Sequence, residues 1–307
     1  MRIYETRRLG RLPMHHLLTY CVFLGLSVGA SLSAASLNDL GLQQVIEVKK
    51  KRFSANAGYR FEVLGRSNPF YIEGPVGDAA KVPVMSNSAF LFGEGGNYGF
   101  GSGIMKHSVG IIWRRTSYLK ELLQVFDHDT QTLVIDNSYY SSSRWAWSLG
   151  ARGTRLVNVN DGITDYKGWS PNFSVGKLFQ PSRSQHVWVR WRSHYSLSTI
   201  QGIAGTDQTV DRLNHWNTGL SLTHAWALSD HWRLDSHGGL DASRYREGAN
   251  RGRMDTMLGA GTAVSWGFLR FFSLAGFVDY SHRFSNQGHY EFSNWDGGLR
   301  FNADIGF

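Results

Sequence analysis

The sequence is poor in cysteine, proline, charged residues and long apolar runs, and several classes of protein are excluded by what it lacks. With one cysteine in 307 residues the chain forms no internal disulfide, so the backbone ladder and packing must stabilise it. Six prolines, together with 14% aromatic residues, exclude a disordered or collagen-like chain. Only one extended apolar run occurs, which excludes a bundle of membrane-spanning helices. The abundant residues are glycine (35) and aromatics, a composition typical of β-structure.

The single apolar run has the arrangement of a secretory signal peptide. Four arginines between positions 2 and 11 precede the apolar stretch Leu17–Ala30, and the small residues Ser33, Ala34 and Ala35 follow it. An N-terminal membrane anchor is the alternative, but the run is shorter than the ~20 residues that span a bilayer. We therefore predict a signal peptide over 1–35 that is cleaved near Ala35. We expect no lipid anchor, since Cys21 follows Tyr20 instead of a small residue.

Removal of this leader takes away four arginines and Glu5, so the net charge falls from +8 to 28 − 23 = +5. This small excess does not indicate a nucleic-acid partner. The mature chain also has no cysteine, because Cys21 lies in the leader.

The rest of the chain alternates between apolar and polar residues with a period of two. In the segment from Phe53 to Val63 the odd positions are apolar or aromatic, and the even positions include Arg60 and Glu62. Similar alternation recurs along the chain, for example from Val187, from Trp216, from Leu258 and from Leu299. A soluble β-sandwich also alternates in this way, so strand length and connections must decide between the two architectures.

The predicted strands are long, and their connections alternate between short and long. Strands of about 10–15 residues exceed the ~5–6 of soluble sheets and suit tilted membrane-spanning strands. Tight connections are predicted at Gln180–Ser184, Ser229–Asp230 and Gly267–Phe268. Trp226, Trp232 and Trp266 lie beside such turns, as in an aromatic girdle at the periplasmic interface. The sequence thus predicts an all-β, antiparallel, transmembrane up-and-down β-barrel with short periplasmic turns and longer extracellular loops.

The alternation predicts about twelve strands over 53–307, with ten and fourteen as open alternatives. The second strand is predicted over 87–105 and the sixth over 171–179. Between the signal peptide and the barrel, residues 36–52 form a separate short segment. The glycine-rich stretch Gly93–Gly103 lacks a Lys-Ser/Thr ending, so we interpret it as a strand that bends or lies close to a plug.

The C-terminal strand carries a resemblance to a known superfamily. Leu299, Phe301, Ile305 and Phe307 alternate and end on an aromatic residue, which resembles the assembly signal of Gram-negative outer-membrane β-barrels. The resemblance implies location in the cell outer membrane. It also implies contact with outer-membrane lipid and lipopolysaccharide, recognition by the barrel assembly machinery, and escort by periplasmic chaperones.

A finer resemblance concerns the segment before the barrel. Twelve strands preceded by Leu37–Lys51 are similar to the translocator domain of autotransporters, here without a passenger, in which a helix threads the lumen. Apolar residues in the segment could form one face of such a helix, whereas a disordered periplasmic tail is the alternative. The resemblance implies a non-enzymatic barrel, structural or passage-forming. A narrow porin-like pore with mild anion preference is the first alternative function.

An outer-membrane lipid hydrolase with His and Ser is the second alternative, and two residue pairs are its candidates. His194 and Ser196 have the required spacing, but they share the polar face of their strand and should point into the lumen. His282 and Ser285 lie on opposite faces unless a bulge intervenes. No His-Glu-x-x-His motif or phosphate loop occurs, so we predict neither a metal site nor a cofactor.

The polar strand faces predict a charged lumen with more cations than acids. Such a wall favours anions if the lumen is open, and forms a lattice of salt bridges if the lumen is plugged. The predicted lumen cations are Arg60, Arg114, Arg144, Arg152, Arg190, Arg192, Arg233, Arg253 and Arg300, and the acids are Glu62, Asp235, Asp241, Asp255, Asp279 and Asp304.

Overall fold

The computed structural model describes residues 53–68, 82–100, 103–200 and 211–306. The signal peptide, the segment 36–52 with its proposed helix, and Phe307 lie outside the described residues. Among the described residues, no helix is long and apolar enough to cross a bilayer.

Thirteen β-strands and three short 3-10 helices make up the described part of the chain. The strands are β1 (Phe53–Arg66), β2 (Val82–Phe100), β3 (Gly103–Tyr118), β4 (His128–Ser141), β5 (Trp145–Asn158), β6 (Thr164–Ser182), β7 (Gln185–Ile200), β8 (Asp211–Arg212), β9 (His215–Ala227), β10 (Trp232–Tyr245), β11 (Met254–Leu269), β12 (Phe272–Ser285) and β13 (Phe292–Gly306). The 3-10 helices are Glu121–Phe126, Gly248–Asn250 and Gly288–Tyr290.

The sheet closes on itself as a 12-strand antiparallel barrel. Each long strand pairs with its neighbours in sequence, while β8 adds only two residue pairs beside the end of β7. Closure comes from β1 and β13, which pair from Asn56↔Gly306 to Arg66↔Asp296. Closure leaves no sheet edge unpaired, as hydrocarbon requires. The predicted fold class and strand number are confirmed.

The connections are short at one end of the barrel and long at the other. At the short-turn end, residues 142–144, 183–184, 228–231 and 270–271 join consecutive strands. At the loop end, the connections 119–127, 246–253 and 286–291 contain the 3-10 helices. By the rule for outer-membrane barrels, the short-turn end is periplasmic and the loop end is extracellular.

The outer surface carries the apolar face of each strand. Large apolar side chains alternate along the strands and are exposed on this surface: Leu91, Ile111, Leu133, Leu149, Phe173, Leu222, Leu240, Leu258, Val278 and Leu299. Near the short-turn end, Trp232 stacks on Trp266 with ring centroids 6.2 Å apart, and Trp226 is exposed on the same side. The predicted periplasmic aromatic girdle is therefore confirmed.

Some predicted strand boundaries were wrong. The second strand begins at Val82 instead of residue 87 and ends at Phe100, and the sixth runs over Thr164–Ser182. The register of β2 with β3 shifts between Gly95 and Tyr98, and Gly96 has a φ of 101°, which a residue with a side chain rarely adopts. The glycine-rich stretch therefore contains a β-bulge, in agreement with the predicted bend.

Candidate functional site: the barrel lumen

The lumen contains a cavity of about 460 Å³ that is lined mainly by the polar strand faces. Along β1 its lining residues extend from Asn56, near the short-turn end, to Arg66, the last residue of the strand. Ten residues at ~3.3 Å each, tilted by ~40°, rise about 25 Å, which matches the apolar band of an outer-membrane barrel. The cavity therefore extends over the membrane-spanning height of the wall.

Four arginines face one another across this cavity, and we call them the cationic cluster: Arg114, Arg152, Arg190 and Arg192. They occupy even-numbered positions on β3, β5 and β7, which is the lumen-facing parity of those strands. The other three guanidinium groups are close enough to act electrostatically on Arg152. Arg114 in turn lies within the electrostatic reach of Glu62, Arg300 and Arg66, so the cluster borders the charges of β1 and β13.

Three acids act on the cationic cluster: Asp241, Asp136 and Glu62. Asp241 accepts hydrogen bonds from Arg192 Nη2 at 2.9 and 3.1 Å. Asp136 accepts a hydrogen bond from the Ser138 hydroxyl at 2.7 Å, and it also interacts electrostatically with Arg190. Glu62 acts on Arg114 but has its ion pair with Arg300. Over the whole cavity lining, eight arginine and lysine residues stand against five aspartate and glutamate residues, which leaves three positive charges in excess.

On the strands at the other side of the barrel, three arginines of the lumen wall form ion pairs with acids of the same strands. Arg300 of β13 donates to Glu62 of β1, and Arg66 of β1 contacts Asp296 of β13 at 3.0 Å. A further ion pair joins Arg233 to Asp235 at 2.6 Å, and His237 Nε2 lies 3.3 Å from a carboxyl oxygen of Asp279. We call β10–β13 together with β1 the paired wall.

Near the loop end, Arg253 is held in a closed set of contacts. Its side chain is 1% exposed and lies between the rings of Tyr245 and Tyr290, each centroid 3.9 Å from Cζ. It also forms an ion pair with Asp255 at 2.9 Å and donates a hydrogen bond to Asn250 Oδ1 at 2.6 Å. This arginine ties loop 246–253 to the wall and is not available to a solute.

The loop after β3 covers part of the extracellular mouth. Leu123 and Phe126 of its 3-10 helix pack against a buried cluster of Leu64, Val84 and neighbouring side chains that face the lumen. Asn158 and Asn160 donate hydrogen bonds to Val125 and Gln124 carbonyls at 3.0 and 2.7 Å. In the same loop, burial raises the pKa of the Asp127 carboxyl, and the hydrogen bond from the Tyr118 N–H opposes that rise.

Most of the predicted lumen residues lie on the inner wall. Those that line the cavity are Arg114, Arg152, Arg190, Arg192, Asp241, Arg253, Asp255 and Glu62, while Arg60 donates to Asn302 beside Arg300. Arg233, Asp235 and Asp279 belong to the paired wall, and Asp304 is exposed at the short-turn end.

Arg144 is a correction to the predicted lumen set. It lies in the exposed turn between β4 and β5, where its φ is 65° and its N–H donates to the Ser141 carbonyl at 3.0 Å. A residue in this left-handed turn conformation cannot continue the alternation of a strand, so its side chain does not belong to the lumen wall.

Neither candidate pair for lipid hydrolysis is assembled on the lipid-facing side. The register of β7 with β9 is unbroken from Gln185 to Ser196, so His194 and Ser196 both face the lumen cavity, and Ser196 is 2% exposed. The register of β12 with β11 is unbroken from Ser273 to Ser285, so no bulge brings His282 and Ser285 to one face. Neither pair therefore has the lipid-facing geometry that the lipid hydrolase alternative requires.

The contacts of the second pair show what each residue does instead. Ser285 donates to Asp255 at 2.8 Å on the inner side. His282 hydrogen-bonds Ser293 of β13 at 2.7 Å on the outer side, a contact that was not predicted. The neighbouring acid, Glu291, accepts a hydrogen bond from the Ser285 N–H at 3.3 Å. In the described part of the chain no group of three or more His, Cys, Asp or Glu side chains could hold a metal ion.

The C-terminal assembly residues face outward where they are described. Leu299 and Ile305 are 58% and 46% exposed, and Phe301 stacks on Phe272 at 5.8 Å.

Comparisons with known proteins agree on the architecture. No family model matches the chain, and no curated protein matches it. An outer-membrane channel from Pseudomonas putida F1 is 11% identical with a TM-score of 0.52, over 84% of this chain and 97% of that one. At this identity the likeness shows the fold alone.

Two further solved structures have lower TM-scores. The translocator domain of the autotransporter NalP from Neisseria meningitidis is 12% identical over 93% of this chain and 98% of that one, with a TM-score of 0.44. The KdgM porin is 7% identical over 80% of this chain and 98% of that one, with a TM-score of 0.41. Closure, strand number, the outward apolar belt and the first likeness together lead to one conclusion: the chain has the fold of the outer-membrane β-barrel superfamily.

Proposed function

We propose that the protein is a narrow, anion-preferring passage through the outer membrane, exported by a cleaved signal peptide. The observation that carries this proposal is the excess of positive charge in the cationic cluster, which lines a cavity running along the membrane-spanning wall. Cations on the wall of a narrow pore lower the free energy of anions inside it and raise that of cations. The exposed outer belt would contact lipid, and the C-terminal strand would be read by the assembly machinery after escort by chaperones.

The autotransporter-like alternative depends on the segment 36–52. It predicts that a helix over Leu37–Lys51 occupies the lumen and that conductance is low. Since these residues lie outside the described ones, this alternative remains a prediction.

Single-channel recording on the refolded mature protein tests both ideas. The proposal predicts steady conductance with anion preference in the full-length mature chain. Silence that becomes conductance after deletion of 36–52 would favour the autotransporter-like alternative. Silence in both preparations would contradict a passage and would leave a structural barrel.

A further inference from the structure

One part of the lumen wall is apolar, although the surrounding lining is polar. Phe92 of β2, Ile112 of β3 and Val134 of β4 all line the cavity, and we call them the apolar platform. Phe92 and Val134 pack against a buried pair formed by Ile112 and Phe90. An apolar surface in a water-filled passage is costly to hydrate, so it favours an apolar occupant.

The strand register places this platform next to the cationic cluster. Phe92 is paired with Gly110, Gly110 with Val134, and Val134 with Arg152, so the four positions form one row across β2–β5. Side chains directly opposed in neighbouring strands have Cβ atoms about 4.5–5.5 Å apart. Arg114 follows Ile112 by two residues and therefore shares its face. Two guanidinium groups thus border the platform.

Gly110 gives the platform its shape. A Cβ atom at this position would overlap the Phe92 ring, so the ring lies directly over the glycine backbone. Phe90 supports it from the side, with ring centroids 5.9 Å apart. The phenyl ring is therefore held against the wall, where it also lines the cavity.

Arg152 lacks a counterion of its own. Within the described ranges it makes neither a hydrogen bond nor an ion pair, and the charges that act on it belong to Arg192, Arg114 and Arg190. The acid on the adjoining strand, Asp136, is engaged by Ser138 and lies under the influence of Arg190. A guanidinium without a partner is costly in a confined lumen, and an anion bound in the cavity would relieve that cost.

We propose that the apolar platform, Arg152 and Arg114 form a subsite for a small amphipathic organic anion, in the simplest case an aromatic monocarboxylate. The aromatic body would lie on Phe92, Ile112 and Val134, and the carboxylate would accept hydrogen bonds from the guanidinium of Arg152, which suits bidentate contact. This inference rests on the proposed anion passage and narrows its solute class. The subsite would bind aromatic acids more tightly than inorganic anions or hydrophilic sugar acids, because neither of these has an apolar body to contact the platform.

Isothermal titration of the detergent-solubilised mature protein with sodium benzoate and with sodium acetate tests the subsite without requiring conductance. The platform predicts that benzoate binds at least about tenfold more tightly than acetate, a difference that loss of the aromatic contact would remove. In Val134→Thr, which keeps the shape but adds a hydroxyl, the preference for benzoate should fall several-fold while acetate binding stays unchanged. In Arg152→Gln both anions should lose affinity.

Met257→Thr is the matched control, since Met257 is an apolar cavity residue of β11, away from the platform. It should leave the benzoate preference intact, and the shift in electrophoretic mobility on heating should confirm that each variant is folded. Equal binding of benzoate and acetate would overturn the subsite, as would a preference that survives both Val134→Thr and Phe92→Ser. Anion selectivity measured separately in bilayers would then decide whether the proposed passage still stands.

Discussion

The two sides of the lumen use the same residue types in opposite ways. On the paired wall Arg300 and Arg66 each form an ion pair, with Glu62 and Asp296, while Arg60 donates a hydrogen bond to Asn302. In the cationic cluster the arginines face one another, and Arg152 makes no hydrogen bond or ion pair within the described residues. Buried ion pairs fix geometry, whereas uncompensated charge costs stability and is retained where it binds or steers a solute. The comparison therefore assigns structure to one wall and solute contact to the other.

The largest effect is expected at the loop end of the paired side. Arg253→Ala should lower the free energy of unfolding by about 3–5 kcal/mol, because the buried Asp255 loses the closer of its two arginine partners and the contacts with two tyrosine rings are lost. Urea titration of the protein folded into liposomes measures this. Arg251→Ala, in the exposed part of the same loop, is the control and should stay within ~0.5 kcal/mol of the parent. A loss below 1 kcal/mol for Arg253→Ala would show that these contacts do not anchor the loop.

Neutralising an acid of the paired wall should have a smaller effect. Glu62→Gln keeps a hydrogen-bond acceptor for Arg300 but removes the charge that also acts on Arg60 and Arg114, so we expect a loss of about 2 kcal/mol. Asp129→Asn is the matched control, since its partner Arg115 is 42% exposed, and it should cost less than ~1 kcal/mol. If both variants lost the same free energy of unfolding in the urea titration, an ion pair of the inner wall would contribute no more to stability than an ion pair on the surface.

Neutralising a cation of the cluster should have the opposite sign. Arg152→Gln removes repulsion from three neighbouring arginines, so the free energy of unfolding should stay unchanged or rise by up to ~1 kcal/mol. Arg66→Gln on the paired wall should lower it instead, because Asp296 loses an ion pair. Thermal unfolding of both variants at one ionic strength measures the difference. Destabilisation by Arg152→Gln to the same extent as Arg66→Gln would mean that Arg152 holds the barrel together.

The smallest effect concerns the outer face. The His282–Ser293 hydrogen bond joins β12 to β13, so Ser293→Ala should cost only about 0.2–1 kcal/mol. A double-mutant cycle with His282→Ala isolates the coupling between the two side chains. A coupling energy well above ~2 kcal/mol would contradict an ordinary cross-strand contact.

Alternation predicted most of the fold because one face of each strand contacts lipid and the other contacts the lumen. It therefore placed His194, Ser196, Arg152 and Arg192 on the inner wall. It failed where the inner face is itself apolar: Val82 and Val84 pack inside the mouth against the loop after β3, so the start of β2 was missed. The platform was missed for the same reason, although Gly110, opposite two large apolar residues, was a usable signal.

The partners of individual side chains could not be predicted from the sequence, because they depend on barrel closure and on turn geometry. Arg66 and Asp296 lie at opposite ends of the described chain, and only the pairing of β1 with β13 brings them together. Arg144 was misplaced because its left-handed φ, unusual for arginine, is set by the tight turn that it occupies.

The central claim is that the cationic cluster lines an open passage, and the reversal potential in a potassium chloride gradient tests it most directly. In planar bilayers containing the mature protein, the reversal potential should be shifted from zero toward the equilibrium potential of chloride. That potential should move toward zero in Arg114→Gln/Arg152→Gln and stay unchanged in Arg183→Gln, whose arginine lies in an exposed turn. A cation-selective current in the parent protein would contradict the account. A reversal potential that is the same in the parent protein and in the double variant would also contradict it.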